Sequence, residues 1–353
     1  MKVNMLVIGQ GICGTFLSHY LEKAGLSFLV IDDARPQSAS RTAAGVINPV
    51  TGRRLVKTWM IEELMDFARK AYEEIGIKLG IQCLTETSIV DFFPTPRMRL
   101  TFLERQKEES TFLAMPVDEK DHLQNFHYEF GYGLIKPALL IDLSSLLNAF
   151  RKKLSAAGQL MESIFEINAL KLSENGIKYQ DIDAEWIIFC DGTTSFTNPE
   201  FRNLPFAPNK GEVLIIETEG IPMTKTIYKK GISLVPLENN LFWVGSSYDW
   251  EFKNEAPDRI FRERTELLLL DWLKRPFTIL DHRAAVRPAT LERRPFVGFH
   301  PLYEHVGILN GMGTKGCSLA PYFSNQLVEN IVTQKPVLPE ADIRRFSKIL
   351  SRP

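Results

Sequence analysis

At 353 residues the chain exceeds the usual size of a single hydrophobic core, so two domains on one polypeptide are expected. A hydrophobic share of 44% beside 24% charged residues suits a soluble globular protein, and a net charge of -1 gives no electrostatic footing for nucleic acid or an anionic membrane. Cys13, Cys83, Cys190 and Cys317 stand far apart with no C-x-x-C, which points to buried free thiols rather than a metal site or a disulfide framework. The first strand begins at residue 3 and no apolar run approaches the roughly 20 residues of a membrane span, so a cytoplasmic protein is expected.

Val3, Met5, Leu6, Val7 and Ile8 make an apolar run too short for a helix, and it stops at Gly9-Gln-Gly11-Ile-Cys-Gly14, a G-x-G-x-x-G pattern. Gly9 permits the tight turn, Gly11 lets backbone approach a pyrophosphate, and Gly14 lets the next helix pack closely on the strand. Phe16, Leu17, Tyr20, Leu21 and Ala24 follow at helical spacing, the helix ends near Gly25, and Phe28 to Ile31 runs into Asp32 and Asp33. This is a complete βαβ unit for a dinucleotide, with Asp32 placed to accept from the ribose hydroxyls. By itself it does not separate NAD from FAD.

The stretch from Arg35 to Gly52 is rich in small and turn-forming residues. Backbone N–H groups there could face a phosphate or a flat ring, or the stretch is a plain surface loop. Arg53, Arg54 and Lys57 read as a solvated basic face, and Met60 to Ile75 as an amphipathic helix. From Ile81 to Gly133 the βαβ rhythm stops: a strand at Ser88 to Phe93, a charged helix through Arg105 to Glu109, and alternating Phe126, Tyr128, Phe130 and Tyr132, which suit a half-buried strand. Asp142 to Ala157 returns to a helix capped by Asp142 or Ser144. Ser163 to Leu172 and Gly176 to Gln180 suggest a hairpin, and Ala184 to Cys190 is a strand ending in Asp191-Gly192. Strands at Gly211 to Glu217, Ile232 to Pro236 and Leu241 to Ser247 are followed by an amphipathic helix, Phe261 to Trp272. Arg283, Arg287, Arg293 and Arg294 then crowd twelve residues, and Val306 to Leu309 leads through Gly311-Met-Gly313-Thr314-Lys315-Gly316 into a closing helix, Leu319 to Val332, with Pro321 expected in its first turn.

Four blocks carry a resemblance: Gly9, Gly11 and Gly14 with Asp32; Thr42-Ala43-Ala44-Gly45-Val46-Ile47-Asn48-Pro49; Phe189-Cys-Asp-Gly192; and Arg287-Pro288 through Gly316 to Pro321. In this order they resemble the D-amino-acid oxidase and glycine oxidase-like family of FAD-dependent oxidoreductases. The resemblance implies an α/β fold, α+β overall: a Rossmann-like FAD-binding domain from residues 1–80, 140–205 and 285–353, and an antiparallel-sheet substrate domain from 81–139 and 206–284. It also implies noncovalent FAD, with Thr42 to Ile47 beside the isoalloxazine ring, Gly192 near the cofactor, and Gly311, Gly313, Thr314, Lys315 and Gly316 around the ring's far end. Arg287 takes the family's place for gripping a substrate carboxylate, unless it merely pairs with an acid such as Glu292; the family's assisting tyrosines have only Tyr228 and Tyr248 as counterparts.

The chemistry implied is oxidation of a small carboxylate-bearing amino acid or secondary amine by hydride transfer to flavin. Lys315, at the start of the closing helix, either faces negative charge on the reduced ring or lies in water. A 2-hydroxy acid would fit the same clamp, and a related oxidase module acts on a modified tRNA base, a reading that the near-neutral charge disfavours. A non-catalytic flavin-binding protein is the remaining alternative. No metal site is expected.

Overall fold

The computed structural model describes residues 1–52, 54–173 and 176–351. Arg53, one member of the basic cluster, lies outside the described residues. The helices among the described residues are α1 (Ile12–Lys23), the short α2 (Ala39–Thr42), α3 (Ile61–Leu79), α4 (Pro96–Glu108), α5 (Leu143–Ala156), α6 (Arg259–Trp272), α7 (Gly316–Thr333) and the short α8 (Ser347–Leu350). Polar residues set several starts: Thr95, Asp142 and Asp258 accept hydrogen bonds from Met98, Ser145 and Ile260 N–H. Asp142, rather than Ser144, is therefore the cap of α5.

Two large sheets organise these helices. The first has a parallel centre in which Val306–Asn310, Ile182–Phe189, Lys2–Ile8, Phe28–Ile31 and Leu160–Met161 lie side by side. Met5, Leu6 and Val7 are wholly buried because helices cover one face, with α1 and α7 packed together. The antiparallel strands Leu170–Ser173 and Gly176–Tyr179 extend one edge.

The second sheet runs in the order Phe277–Arg287, Asn209–Thr218, Leu241–Gly245, Ile232–Pro236, Ile227–Lys230, Leu84–Phe92, Tyr132–Ile141 and Val46–Ile47. It is antiparallel except where Ile227–Lys230 lies parallel to Leu84–Phe92. Its two faces differ. Val90, Phe92, Leu214, Tyr228, Val244 and Trp272 form a core on one side, whereas Ile89, Ile227, Val235 and Trp243 turn toward the core shared with the first sheet.

Two expectations need correction. Phe126 to Phe130 is not a strand: Phe126 makes a single bridge to Leu273, and the strand begins only at Tyr132, after Gly131 with φ +75°. The chain bends there because the rings of Phe126, Tyr128 and Tyr132 all crowd around Phe92, at centroid distances of 5.2, 4.8 and 5.6 Å. Pro321 sits inside α7, not in its first turn. Its missing N–H leaves the Cys317 carbonyl without a helical donor, and the buried Tyr72 hydroxyl donates to that carbonyl at 2.9 Å. The four cysteines are buried free thiols; burial pushes Cys13 and Cys317 up to about 12. Among the described residues no helix is long and apolar enough to cross a membrane.

Candidate active site

Three neighbouring parallel strands, Val306–Asn310, Ile182–Phe189 and Lys2–Ile8, end in Gly311, Asp191-Gly192 and Gly9. The glycine turns predicted separately thus meet at one edge, outside the carboxyl ends of the strands. Helices α1 and α7 start at this edge with Gly11 and Lys315 as N-caps, and neither has a capping hydrogen bond from its own N-cap side chain. Their first-turn N–H groups carry the positive ends of two helix dipoles. Two are used: Ile12 N–H donates to Ser40 Oγ and Ser318 N–H to the Lys315 carbonyl, each at 3.1 Å. Gly14 is required for the packing, since a Cβ there would lie 1.8 Å from the Gly9 carbonyl oxygen. Gly316 is beside Ile12, 3.4 Å from its Cγ2 to a built Cβ.

Asp32 stands at the end of the second strand, accepting from Gln10 N–H at 2.7 Å and Ala34 N–H at 2.9 Å. Arg151 of α5 also donates to it at 2.6 Å. Three acceptances leave its carboxylate room for one more donor. Asp191 accepts from the Ser195 hydroxyl, and Asn310 Nδ2 donates to that hydroxyl oxygen at 2.9 Å. Burial raises the Asp191 carboxyl to about 7, against the opposing pull of the Ser195 hydrogen bond.

The segment from Thr42 to Ile47 is held at both ends by the second sheet. Trp243 Nε1, on the third strand of the second sheet, donates to the Thr42 carbonyl at 2.8 Å, while Val46 and Ile47 pair with Leu140 and Leu139 at the sheet's other side. Gly45 (φ +80°) passes so close to the next strand that a Cβ would lie 1.9 Å from the Ile141 carbonyl oxygen. Ala43 is exposed, Ala44 half-buried, and the buried Thr42 hydroxyl has no hydrogen-bond partner among the described residues.

Arg287 ends the strand Phe277–Arg287, opposite Asn209. Its guanidinium lies over Gly211, where a Cβ would come within 1.9 Å of Nη2. It donates to Asn209 Oδ1 at 2.5 Å, to Ser246 Oγ at 2.7 Å and to the Ser247 carbonyl at 3.2 Å, and the Tyr248 ring lies 4.7 Å away. Burial pulls its pKa down, opposed by Tyr248 and Asp249, yet it forms no ion pair with any described carboxylate. Glu292 pairs instead with Arg345, and Arg283 with Asp281. Asn209 Nδ2, beside the guanidinium, is buried without a partner.

Gly313 N–H donates to the Pro288 carbonyl at 3.1 Å, which brings the last glycine loop next to Arg287. Thr314 is exposed and Lys315 half-buried; burial, then Arg294 and Arg293, lower the Lys315 pKa. Arg294 lies over the Trp59 ring at 4.1 Å. Tyr228 belongs to the core on the other face of the sheet, its ring 4.6 Å from Phe126, so of the two tyrosines only Tyr248 is near Arg287. Sequence reasoning missed Arg151, Ser40, Trp243, Asn209 and Ser246. Only the period-two spacing of Asn209 and Gly211 hinted at a shared face; the other contacts join residues 28 to 201 positions apart.

A family model described as FAD dependent oxidoreductase matches residues 4–329. The chain belongs to this family. It is an FAD-dependent oxidoreductase. The glycine oxidase of Bacillus subtilis (strain 168) is 27% identical over 364 residues, spanning 94% of this chain and 93% of the relative. Among solved structures, glycine oxidase from Geobacillus kaustophilus superposes with a TM-score of 0.76 at 15% identity, covering 100% of this chain and 99% of that one. Iminodiacetate oxidase from Chelativorans sp. BNC1 gives 0.74 at 18% identity, covering 98% of each chain. At these identities the superpositions speak for the fold alone. Features of the site suit the cofactor of this FAD-dependent oxidoreductase: two helix N-termini, where an anion is favoured, meet at the strand edge, and the buried Thr42 hydroxyl has no partner among the described residues.

Proposed function

We propose that the protein oxidises a small amino acid or secondary amine bearing a carboxylate, with Arg287 as the carboxylate anchor. The observation that carries this reading is a half-buried guanidinium, fixed by three neutral acceptors and left without an acid partner among the described residues. A planar, permanently charged fork holds a carboxylate through two parallel hydrogen bonds and so fixes the α-carbon as well as the acid. The relatives with oxidase names act, by those names, on glycine and iminodiacetate, both carboxylate-bearing amines.

The cofactor is held noncovalently in this reading. Residues 1–80, 140–205 and 285–353 supply its site, and 81–139 with 206–284 supply the substrate's. Gly9, Gly11 and Gly14 with the α1 N-terminus take the pyrophosphate, Asp32 the ribose, Thr42 to Ile47 one side of the ring, and Gly192 and Gly311 to Gly316 the remainder. FAD supplies the acceptor for the hydride. Arg287, Ser246 and Asn209 hold the substrate's acid, and Trp243 fixes the Thr42 segment. Lys315 and the α7 dipole offer positive charge at the ring's far end.

Anaerobic bleaching of the flavin by matched amino acids and 2-hydroxy acids tests the substrate class; reduction by the hydroxy acids alone overturns it. Arg287→Lys should lower kcat/KM for a carboxylate substrate by more than about tenfold with flavin content unchanged, and should leave a carboxylate-free amine nearly indifferent. Equal losses on both compounds would remove Arg287 from the site.

A further inference from the structure

Strand Asn209–Thr218 turns its side chains alternately to the two faces of the second sheet. Asn209 and Gly211 face Arg287. Lys210 and Glu212 therefore point to the opposite face, and both are buried, at 4% and 1% exposure. Lys210 Nζ lies 3.0 Å from Glu212 Oε1, and His282 Nε2 lies 2.9 Å from Glu212 Oε2. An ion pair removed from water is costly unless its remaining hydrogen-bonding capacity is used. Here it is used by one segment of chain: Glu212 Oε2 accepts from Asp258 N–H at 2.6 Å, and Lys210 Nζ donates to the Ala256 carbonyl at 2.5 Å.

That segment is the loop that begins in the candidate active site. Ser246, Ser247 and Tyr248 contact Arg287 on the front of the sheet, Asp249 exchanges backbone hydrogen bonds with Lys210, and Ala256 and Asp258 finish on the back. The chain thus wraps from one face to the other and is tied down at both ends. Between the ties it has little hold of its own: Tyr248 and Trp250 are 60% and 56% exposed. Glu212 also donates its N–H to Ser247 Oγ at 3.0 Å, so one residue touches both the front and the back of the wrap.

We infer that Glu212 and Lys210 are positioning residues: from the far side of the sheet they hold the 246–258 wrap so that Ser246, Ser247 and Tyr248 keep Arg287 aimed at a substrate carboxylate. This rests on the reading of Arg287 given above. It assigns a role in carboxylate recognition to two charges that never meet the substrate. Sheet stability alone would explain a buried pair beside His282, but not why both of its hydrogen bonds to main chain, Asp258 N–H to Glu212 and Lys210 to the Ala256 carbonyl, end on the wrap.

The test uses the FAD-loaded full chain and the isosteric variant Glu212→Gln, with Lys210→Met as a second route should the first fail to fold. Two probes are titrated by perturbation of the flavin spectrum, benzoate and its uncharged analogue benzamide. The benzoate Kd should rise by about tenfold, with benzamide changing by less than about twofold. Limited trypsin cleavage after the exposed Lys253, inside the wrap, should accelerate at the same time. Equal weakening of both probes, or unchanged cleavage, overturns the inference. The cleavage arm does not depend on Arg287 gripping an acid. Faster cleavage with both probes unaffected, together with an Arg287→Lys enzyme indifferent to benzoate, would overturn the carboxylate reading of the site while leaving the wrap's anchorage standing.

Discussion

In the function proposed above, the cofactor end and the substrate end of the site are prepared for anions by different means. At the cofactor end the donors are backbone N–H groups of α1 and α7, and the side chains are mostly reduced to glycine so that backbone can come close. At the substrate end the donor is a single guanidinium, held by Asn209, Ser246 and Ser247 from other strands and loops. A backbone site is as rigid as the helices that carry it and fails when a Cβ is added. A side-chain site depends on every neighbour that aims it, including, in our proposal, the charges behind the sheet.

The sharpest way to break the first half of this contrast is Gly14→Val. The new Cβ would overlap the Gly9 carbonyl, which is backbone and cannot swing aside, so α1 must leave its place. The protein should purify without visible flavin absorbance; retention of full FAD would show that the α1 N-terminus is not part of the cofactor site. Gly211→Ala is the matching change at the substrate end. Its Cβ meets the movable end of Arg287, so the protein should remain folded and yellow while kcat/KM for a carboxylate amine falls by at least about tenfold. Loss of flavin in this variant would erase the distinction between the two ends.

Asp191 sharpens the comparison from the pH side. Its carboxyl, raised from 3.8 to about 7, stays protonated in the native state at pH values where the unfolded chain has already ionised it. Native stability should therefore fall as pH rises from about 4 to about 7, with the whole penalty present above that, by at most ~4 kcal/mol. Asp191→Asn should flatten this slope; urea unfolding at about pH 5 and about pH 8 that gives the same difference for both proteins would refute it. The smallest expected effect is Tyr72→Phe, which leaves the buried Cys317 carbonyl without its donor in α7. A loss of about 1–2 kcal/mol should appear in denaturant unfolding with little change in flavin binding, and no loss would mean that water reaches that carbonyl.

Much of the βαβ unit was legible because its signals are local. Strand, glycine turn, helix and acid follow one another within Val3 to Asp32, and the spacing of apolar residues distinguishes the short buried strand from the helix after it. The α5 helix was readable for the same reason, whereas the choice of Asp142 over Ser144 as its cap came from the structure. The strand expected at Phe126 to Phe130 failed because alternating aromatics satisfy a cluster of rings as well as a pleated face, and only the tertiary position of Phe92 chooses between them.

By itself, then, the order of residues determined that a βαβ unit would form, that three glycine turns would follow strands, and that an arginine would precede Pro288. These depend on propensity and period over a few residues. Only the tertiary structure decided that Asp32 shares Arg151, that Thr42 is met by Trp243, and that Lys210 and Glu212 face away from Arg287 to hold the loop beside it. Those contacts rest on strand register and on the packing of the whole molecule, not on any short stretch of it.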